Sequence, residues 1–504
     1  MVNYIRSAAV WLTAASAVSA SVLPQVLLGP SSTDTPPTKQ PITRTARFDQ
    51  HKLVHISPPC AQTHSNAVYE SAVLQKLSTE KTALYKTLAV DQRLDVWSVD
   101  QDGSVVVRVD PQQLQDLRDW VAAVGDWFPC TDDEEASVRS EPFRVLVDDI
   151  QPALNAESER LNKFSQLDVE TQHAQWFSDY HRYDDIRTWY NSLAQQHPSL
   201  LQIIPSIGKT AENRDIFAVK ITGNKTSLSS TDHKKQFWFH GLQHAREWIG
   251  GAVVQFISAH FLTGYGIDEA ITTLLDSAEF VIVPVMNVDG YEYTWTNNRL
   301  WRKNRRPLND FFGSVGVDLN RNWPEHWGED GSSSSPYSEV YQGPSAGSEP
   351  EVQALRKFFL SPNHTSLIGA IDFHAYSQLV LRPYGWTRKD APDEHLLKQA
   401  GDGLRDRIKE VHGKKYVSER EIDLYAASGT ASDWFYGKEV TKWLEGRHLY
   451  AYTIELRPSA NEGGWGGQGF ILPPEQIVPT GQEIVKAVKW WAQFALDHPL
   501  KKKD

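Results

Sequence analysis

The segment Gly241–Ile249, GLQHAREWI, joins two patterns of different period. Before it, Gln236–His240 (QFWFH) is a short apolar run that reads as a buried strand; after it, Ile249, Val253, Ile257 and Phe261 recur at helical spacing. The C-terminal end of a strand, where it runs into a helix, is where open α/β sheets place their sites. In that turn His244 and Glu247 stand three positions apart. An imidazole and a carboxylate at this spacing point the same way and reach one cation together. Zinc accepts nitrogen and carboxylate oxygen, and it keeps an open position where water is activated. Such pairs occur by chance in most chains of this size, so it is the strand-to-helix setting that points to a metal.

On either side, Tyr183–Gln196 has helical periodicity, and Leu200–Ile207 and Asp215–Ile221 read as strands. Phe280–Met286 and Leu367–Phe373 have the near-continuous apolar character of parallel strands covered on both faces, although Pro284 is awkward for a central strand. Tyr450–Leu456 is a further strand. Thr480 and Glu483 read as a capping box before an amphipathic helix through Ile484, Val488 and Trp491. Alternating strands and helices predict an α/β fold over 179–500, an α/β/α sandwich on a mixed, mostly parallel sheet.

Upstream, 51–150 reads as strand Leu53–Ile56, helix Val68–Leu88, strands Leu94–Val99 and Ser104–Val109 about the Asp102-Gly103 turn, helix Pro111–Val124 and strand Phe143–Ile150. This β-α-β-β-α-β order predicts a small ferredoxin-like domain. Residues 151–178 read as a polar, acidic and partly helical connecting segment and 21–50 as a linker. Residues 1–20 carry Arg6, an apolar stretch from Ala8 to Val18 and the small residues Val18-Ser19-Ala20, as in a secretory signal peptide; a retained signal anchor is the alternative, since apolar residues resume at Val22–Leu28. The expected destination is outside the cell, with the vacuole as the alternative. The sequons at Asn224 and Asn363 fit a secreted glycoprotein. Cys60 and Cys130, the two cysteines of the chain, are expected to form a disulfide bond in an oxidising compartment, the alternative being two separate small residues. A formal net charge of −12 over 504 residues, without a basic aromatic patch, argues against nucleic acid. Beyond the signal segment nothing is long and apolar enough to cross a membrane.

Two ligands from one motif require a third, and His374, at the end of the Leu367–Phe373 strand, is the candidate. A cationic cluster, Arg299 and Arg302 in NRLWRKNRR and Asn320 and Arg321 in GVDLNRNW, offers guanidinium and amide groups able to grip a planar carboxylate.

In order, HAREW, NRLWRK, GVDLNRNW, HAYSQLVLRPYGW, LYAASGTASDWFY and YTIELR closely resemble motifs of the zinc metallocarboxypeptidases of the carboxypeptidase A and B type, in their prepro form. The resemblance implies one zinc ion on His244, Glu247 and His374. It further implies Glu455 as general base, Arg302 as stabiliser of the oxyanion, and Asn320, Arg321 and Tyr425 as clamp for the substrate's terminal carboxylate. Arg246 and Tyr376 would line the path of preceding residues, and Ser432 would form the floor of the specificity pocket. The partners implied are peptide or protein C-termini and the chain's own propeptide, 51–150, acting as an intramolecular inhibitor in a monomer. Cleavage in the connecting segment, at Arg160 or Lys163, would activate the zymogen. The chain also resembles fungal cell-wall-associated relatives regarded as inactive, with a role in cell wall organisation; those differ at the general-base glutamate and the anion-binding pair, which are present here. Amidases on the same fold commonly lack a propeptide. Ser432 is neither the apolar residue of A-type nor the acidic residue of B-type enzymes, so a neutral pocket taking apolar C-terminal residues is expected. Asp372 or Arg420, if turned inward, would favour basic or acidic ones.

Overall fold

The computed structural model describes residues 41–59, 76–77, 82–124, 142–224, 234–308, 310–311, 313–459 and 469–502. Its main sheet has eight strands: β5 (Leu201–Lys209), β6 (Asp215–Thr222), β7 (Lys235–Gly241), β8 (Ala278–Val283), β9 (Leu367–Ser377), β10 (Leu379–Arg382), β11 (Val417–Arg420) and β12 (Tyr450–Ser459). They follow the order β11-β10-β12-β9-β7-β8-β6-β5. The β8–β7, β7–β9, β9–β12 and β10–β11 pairs are parallel; β5–β6, β6–β8 and β10–β12 are antiparallel. The sheet is therefore mixed, with its parallel strands at the centre.

The QFWFH run shows why this sheet is covered on both faces. Side chains alternate along a strand, and Phe237 and Phe239 face Trp491 of the helix Ile477–Asp497. Trp238 and His240 point the other way, onto Phe359 of the helix Pro350–Phe359 and Phe435 of the short helix Ala431–Tyr436. Both sets are fully buried, which is the three-layer arrangement. Pro284 falls one residue past β8, so its missing N–H costs the ladder nothing.

One expectation shifts. The C-terminal helix starts at Ile477, three residues before Thr480, and the buried Glu483 receives a hydrogen bond from Arg457 at 3.0 Å instead of closing a capping box. Within 151–178 the helix Gln151–Ser165 buries Leu154, Glu157 and Leu161.

A second, antiparallel sheet pairs β1 (Lys52–Ile56), β2 (Asp95–Val99), β3 (Val105–Val109) and β4 (Phe143–Val147) in the order β2-β3-β1-β4. It is not resolved as a separate ferredoxin-like domain. Its apolar cluster of Val54, Ile56, Leu84, Leu88, Val105, Val107 and Leu117 is shared with Leu379, Leu381 and Leu424 of the larger unit. The expected disulfide bond is corrected: no disulfide occurs among the described residues, and Cys60 and Cys130 both lie outside them, so the pairing is not retained. The signal segment 1–20 also lies outside them. Among the described residues no helix is long and apolar enough to cross a membrane.

Candidate active site

Three neighbouring parallel strands, β7, β9 and β12, bring the site together at their C-terminal ends. After β7 the chain turns through His244 and Glu247 before the helix Trp248–Gly264 begins, with Glu247 at its N-cap in non-helical geometry. The two residues thus sit in a turn and not on the helix itself. The helix start can approach β9 closely because Gly250 has no side chain; a Cβ there would lie 2.7 Å from the Phe373 carbonyl oxygen. The next residue, His374, lies inside β9, which runs three residues beyond it to Ser377. On β12, Glu455 is the register partner of His374.

His244 Nδ1 lies 2.7 Å from Glu247 Oε1, and His374 Nδ1 lies 2.9 Å from Glu247 Oε2 and 3.0 Å from His244 Nδ1. All three side chains are buried, and their donor atoms lie within 4.8 Å of one another. Convergence of two imidazole nitrogens and a carboxylate is what a cation resolves. The spacings are slightly tighter than the roughly 3.3 Å between ligands about 2.0–2.1 Å from a tetrahedral zinc, so small ring movements would admit the ion. The outer nitrogens are also fixed. His244 Nε2 lies 3.0 Å from Asp318 Oδ1 and His374 Nε2 lies 2.6 Å from Asp372 Oδ2. Carboxylates in this position orient ligating histidines and raise their basicity. The residues present fit a zinc site.

Asp318 does more than hold His244, because its Oδ2 accepts hydrogen bonds from Arg302 Nη2 at 2.9 Å and Nε at 3.2 Å. Burial works against the Arg302 charge, but Asp318 and Glu247 outweigh it and hold the guanidinium firmly protonated. Arg321 is fixed by backbone oxygens, donating from Nε to Gly331 at 2.9 Å and from Nη1 to Asn320 at 2.8 Å. The Asn320 side-chain oxygen accepts the Ala431 N–H at 2.9 Å. Glu455 is partly exposed to the cleft, and burial pushes its carboxyl up to about 8 against the pull of His374.

One cleft, open to solvent, is lined by His244, Glu247, Arg302, Asn320, Arg321, Tyr376, Tyr425 and Glu455. Such a convergence of polar groups in a concavity is the usual form of an active site. Family profiles and relatives agree with the geometry. Residues 186–487 match the zinc carboxypeptidase family, peptidase M14. The chain belongs to the M14 zinc carboxypeptidases.

Among relatives, zinc carboxypeptidase A 1 of Anopheles gambiae is 31% identical over 446 residues, 88% of this chain and 89% of that one. Carboxypeptidase A5 of Macaca fascicularis is 33% identical over 358 residues, 71% and 76% of the two chains. The solved structure of carboxypeptidase A from Helicoverpa armigera superposes with a TM-score of 0.72 at 25% identity, covering 90% of this chain and 99% of that one. Family membership and the His244–Glu247–His374 cluster together make this M14 protein a metallocarboxypeptidase, a hydrolase.

Several residues singled out from the sequence lie elsewhere. Arg246 is close by, but its Nη1 donates to Asp95 Oδ1 of β2 at 2.7 Å. Arg299 is not in the cleft; it donates to Glu157 of the helix Gln151–Ser165 at 2.9 Å and stacks over Trp248 at 3.7 Å. Asp372 backs His374 and receives a hydrogen bond from Gln243 at 2.7 Å, so it cannot select substrates. Arg420 pairs with Asp423 and Asp390 at 2.9 Å, away from the pocket. Ser432 is fully buried and is not among the cleft-lining residues; it donates to Glu421 Oε2 at 2.6 Å, and Glu421 lines the cleft in front of it. Neither Glu421 nor Asp318 was marked by sequence reasoning, and only the odd interleaving of GVDLNRNW hinted at the second.

Proposed function

We propose that this M14 enzyme is a secreted zinc metallocarboxypeptidase, made as a latent precursor, that hydrolyses the C-terminal peptide bond of peptides and proteins. The observation that carries this reading is one cleft holding both a proton acceptor and a carboxylate clamp beside the His-Glu-His cluster. Zinc on His244, Glu247 and His374 would polarise the scissile carbonyl and acidify an attacking water. Glu455, facing the cleft beside His374, takes a proton from that water and passes it to the leaving amine. Arg302, pinned by Asp318, stabilises negative charge developing on the carbonyl oxygen without having to reorganise. Asn320 and Arg321 hold the substrate's terminal carboxylate, Tyr425 closes over it, and Arg246 and Tyr376 line the path of the preceding residues. A chain end alone offers a free carboxylate at that distance from the bond, so the clamp makes the enzyme an exopeptidase.

Latency is supported by what the N-terminal unit touches. Tyr85 stacks on Tyr425 with ring centroids 4.0 Å apart, and Asp95 occupies Arg246. Both are groups a substrate would use. Residues 51–150 act as the inhibitory propeptide, with the strand order of a ferredoxin-like sheet, and 151–178 as the activation segment. Within that segment Lys163 is exposed, whereas Arg160 donates to Asp179 at 2.6 Å, so Lys163 is the more accessible trypsin site. Signal peptide removal and a secretory route complete the proposal.

The test is release of residues from a mixed peptide library by the full chain after limited trypsin treatment, with and without a zinc chelator. Chelator-sensitive loss of C-terminal residues alone is expected. Internal cleavage, or no release by the zinc-loaded protein, would replace this reading with a non-catalytic one.

A further inference from the structure

Inside the cleft one acid has no assigned task. Glu421 opens the short helix Glu421–Leu424 directly after β11, is only 6% exposed, and yet lines the cleft with the clamp residues Asn320, Arg321 and Tyr425. Ser432 donates to its Oε2, and among the described residues no lysine, arginine or histidine forms an ion pair with it. A buried carboxylate without a cationic partner is costly, and proteins ordinarily pair it or neutralise it.

The surroundings leave space beside this carboxylate. Gly385 stands against Glu421: a Cβ there would lie 3.0 Å from the carboxyl carbon, so glycine leaves the carboxylate its room. Behind it Asp433 accepts the Gly385 N–H at 3.0 and 3.1 Å, and burial together with Glu421 pushes the Asp433 carboxyl well up. Burial raises the Glu421 carboxyl too, against the pull of Ser432 and the more distant Arg321, so two adjacent acids share this end of the cleft with no cation in direct contact. The connection to the clamp is short. Asn320 holds the Ala431 N–H, Ala431 adjoins Ser432, and Ser432 holds Glu421. A residue whose carboxylate rests on Asn320 and Arg321 has its own side chain beside Glu421.

We propose that Glu421 is the specificity-determining residue of the cleft, its carboxylate pairing with the ammonium or guanidinium of a C-terminal Lys or Arg. Ser432 is then a positioning residue that orients Glu421 and not a neutral pocket floor. The inference rests on the carboxypeptidase reading above and replaces the apolar preference expected from Ser432 alone.

Full-length protein, zinc-loaded, trypsin-nicked and then freed of trypsin activity by inhibitor, is assayed on N-acylated dipeptides ending in Lys, Arg, Phe, Leu or Glu. The expected kcat/KM for Lys and Arg exceeds that for Phe by at least about 100-fold, the scale of a buried charge pair against an unpaired charge. In Glu421→Gln that ratio falls by about the same factor, while Glu421→Asp retains a preference for basic residues. Zinc content checks that each variant is folded; if Glu421→Gln fails it, the wild-type ratio and the Asp variant decide. Preferred release of Phe, Leu or Glu by the wild type, or an unchanged ratio in folded Glu421→Gln, overturns the proposal. No release of any residue by the wild type would instead overturn the peptidase reading, and this inference with it.

Discussion

Asp95→Asn tests whether the N-terminal sheet is held in the cleft by charge. Asp95 is buried, with Oδ1 accepting from Arg246 at 2.7 Å and Oδ2 from Arg108 at 2.8 Å and Trp97 Nε1 at 3.1 Å. Burial alone would raise its carboxyl, but Arg246 and Arg108 outweigh burial and bring it from 3.8 down to about 2. That difference corresponds to about 2 kcal/mol of native-state stabilisation, shared between Arg246 and Arg108. Because the carboxyl is depressed, this contribution is fully present above the unfolded value of 3.8 and is lost as pH falls toward 2. The asparagine variant loses it at every pH and leaves two guanidinium groups facing each other. Only the Arg246 share acts between the sheet and the larger unit, so docking of the sheet should weaken by roughly tenfold, at about 1.4 kcal/mol per tenfold. The assay is C-terminal residue release by the uncut chain, expressed as a fraction of the activity after trypsin treatment. The variant should be measurably active uncut, with wild-type activity once cut. An uncut Asp95→Asn as silent as wild type, with full activity after cutting, would refute the electrostatic account of latency.

Asp318→Asn should lower zinc affinity by about 10- to 100-fold, read by competition with a chelating dye, because His244 loses its orienting carboxylate; kcat/KM should fall further still, since Arg302 loses its anchor. Tyr85→Ala removes the stack on Tyr425, worth about 0.5–1.5 kcal/mol, and should raise activity of the uncut chain several-fold without changing the cut enzyme. Removing zinc by dialysis against chelator should lower the Tm by several degrees through loss of binding energy to the folded state, and the shift should vanish in His374→Ala.

Much of the site was legible because its parts are local or bound to strand ends. QFWFH is too apolar for a strand with one wet face, and the structure buries both of its sides. HAREW carries two of the convergent donors within one turn, and His374 and Glu455 are register partners on adjacent strands. The groups that could not be read depend on long-range contact. Arg299 looks identical in sequence to Arg302, yet its partner Glu157 lies 142 residues away. Asp318 earns its place by bridging His244 and Arg302, neither of which it neighbours in the chain. Glu421 is one acid in a charged run, SEREID, and only the fold turns it inward while sending Arg420 to the surface acids. Asp372 shows the reverse, since strand alternation leaves open whether a buried acid faces the substrate or, as here, backs a histidine.

Hydrolysis depends most directly on Glu455, since zinc and a carboxylate clamp would form a binding site whether or not turnover follows. Single-turnover and steady-state rates of C-terminal residue release should be measured for the trypsin-cut, zinc-loaded Glu455→Gln variant alongside its zinc stoichiometry. One zinc per chain with turnover reduced by more than about 100-fold is predicted, the lower end for loss of a general base. One zinc per chain with turnover within a few-fold of wild type would contradict it.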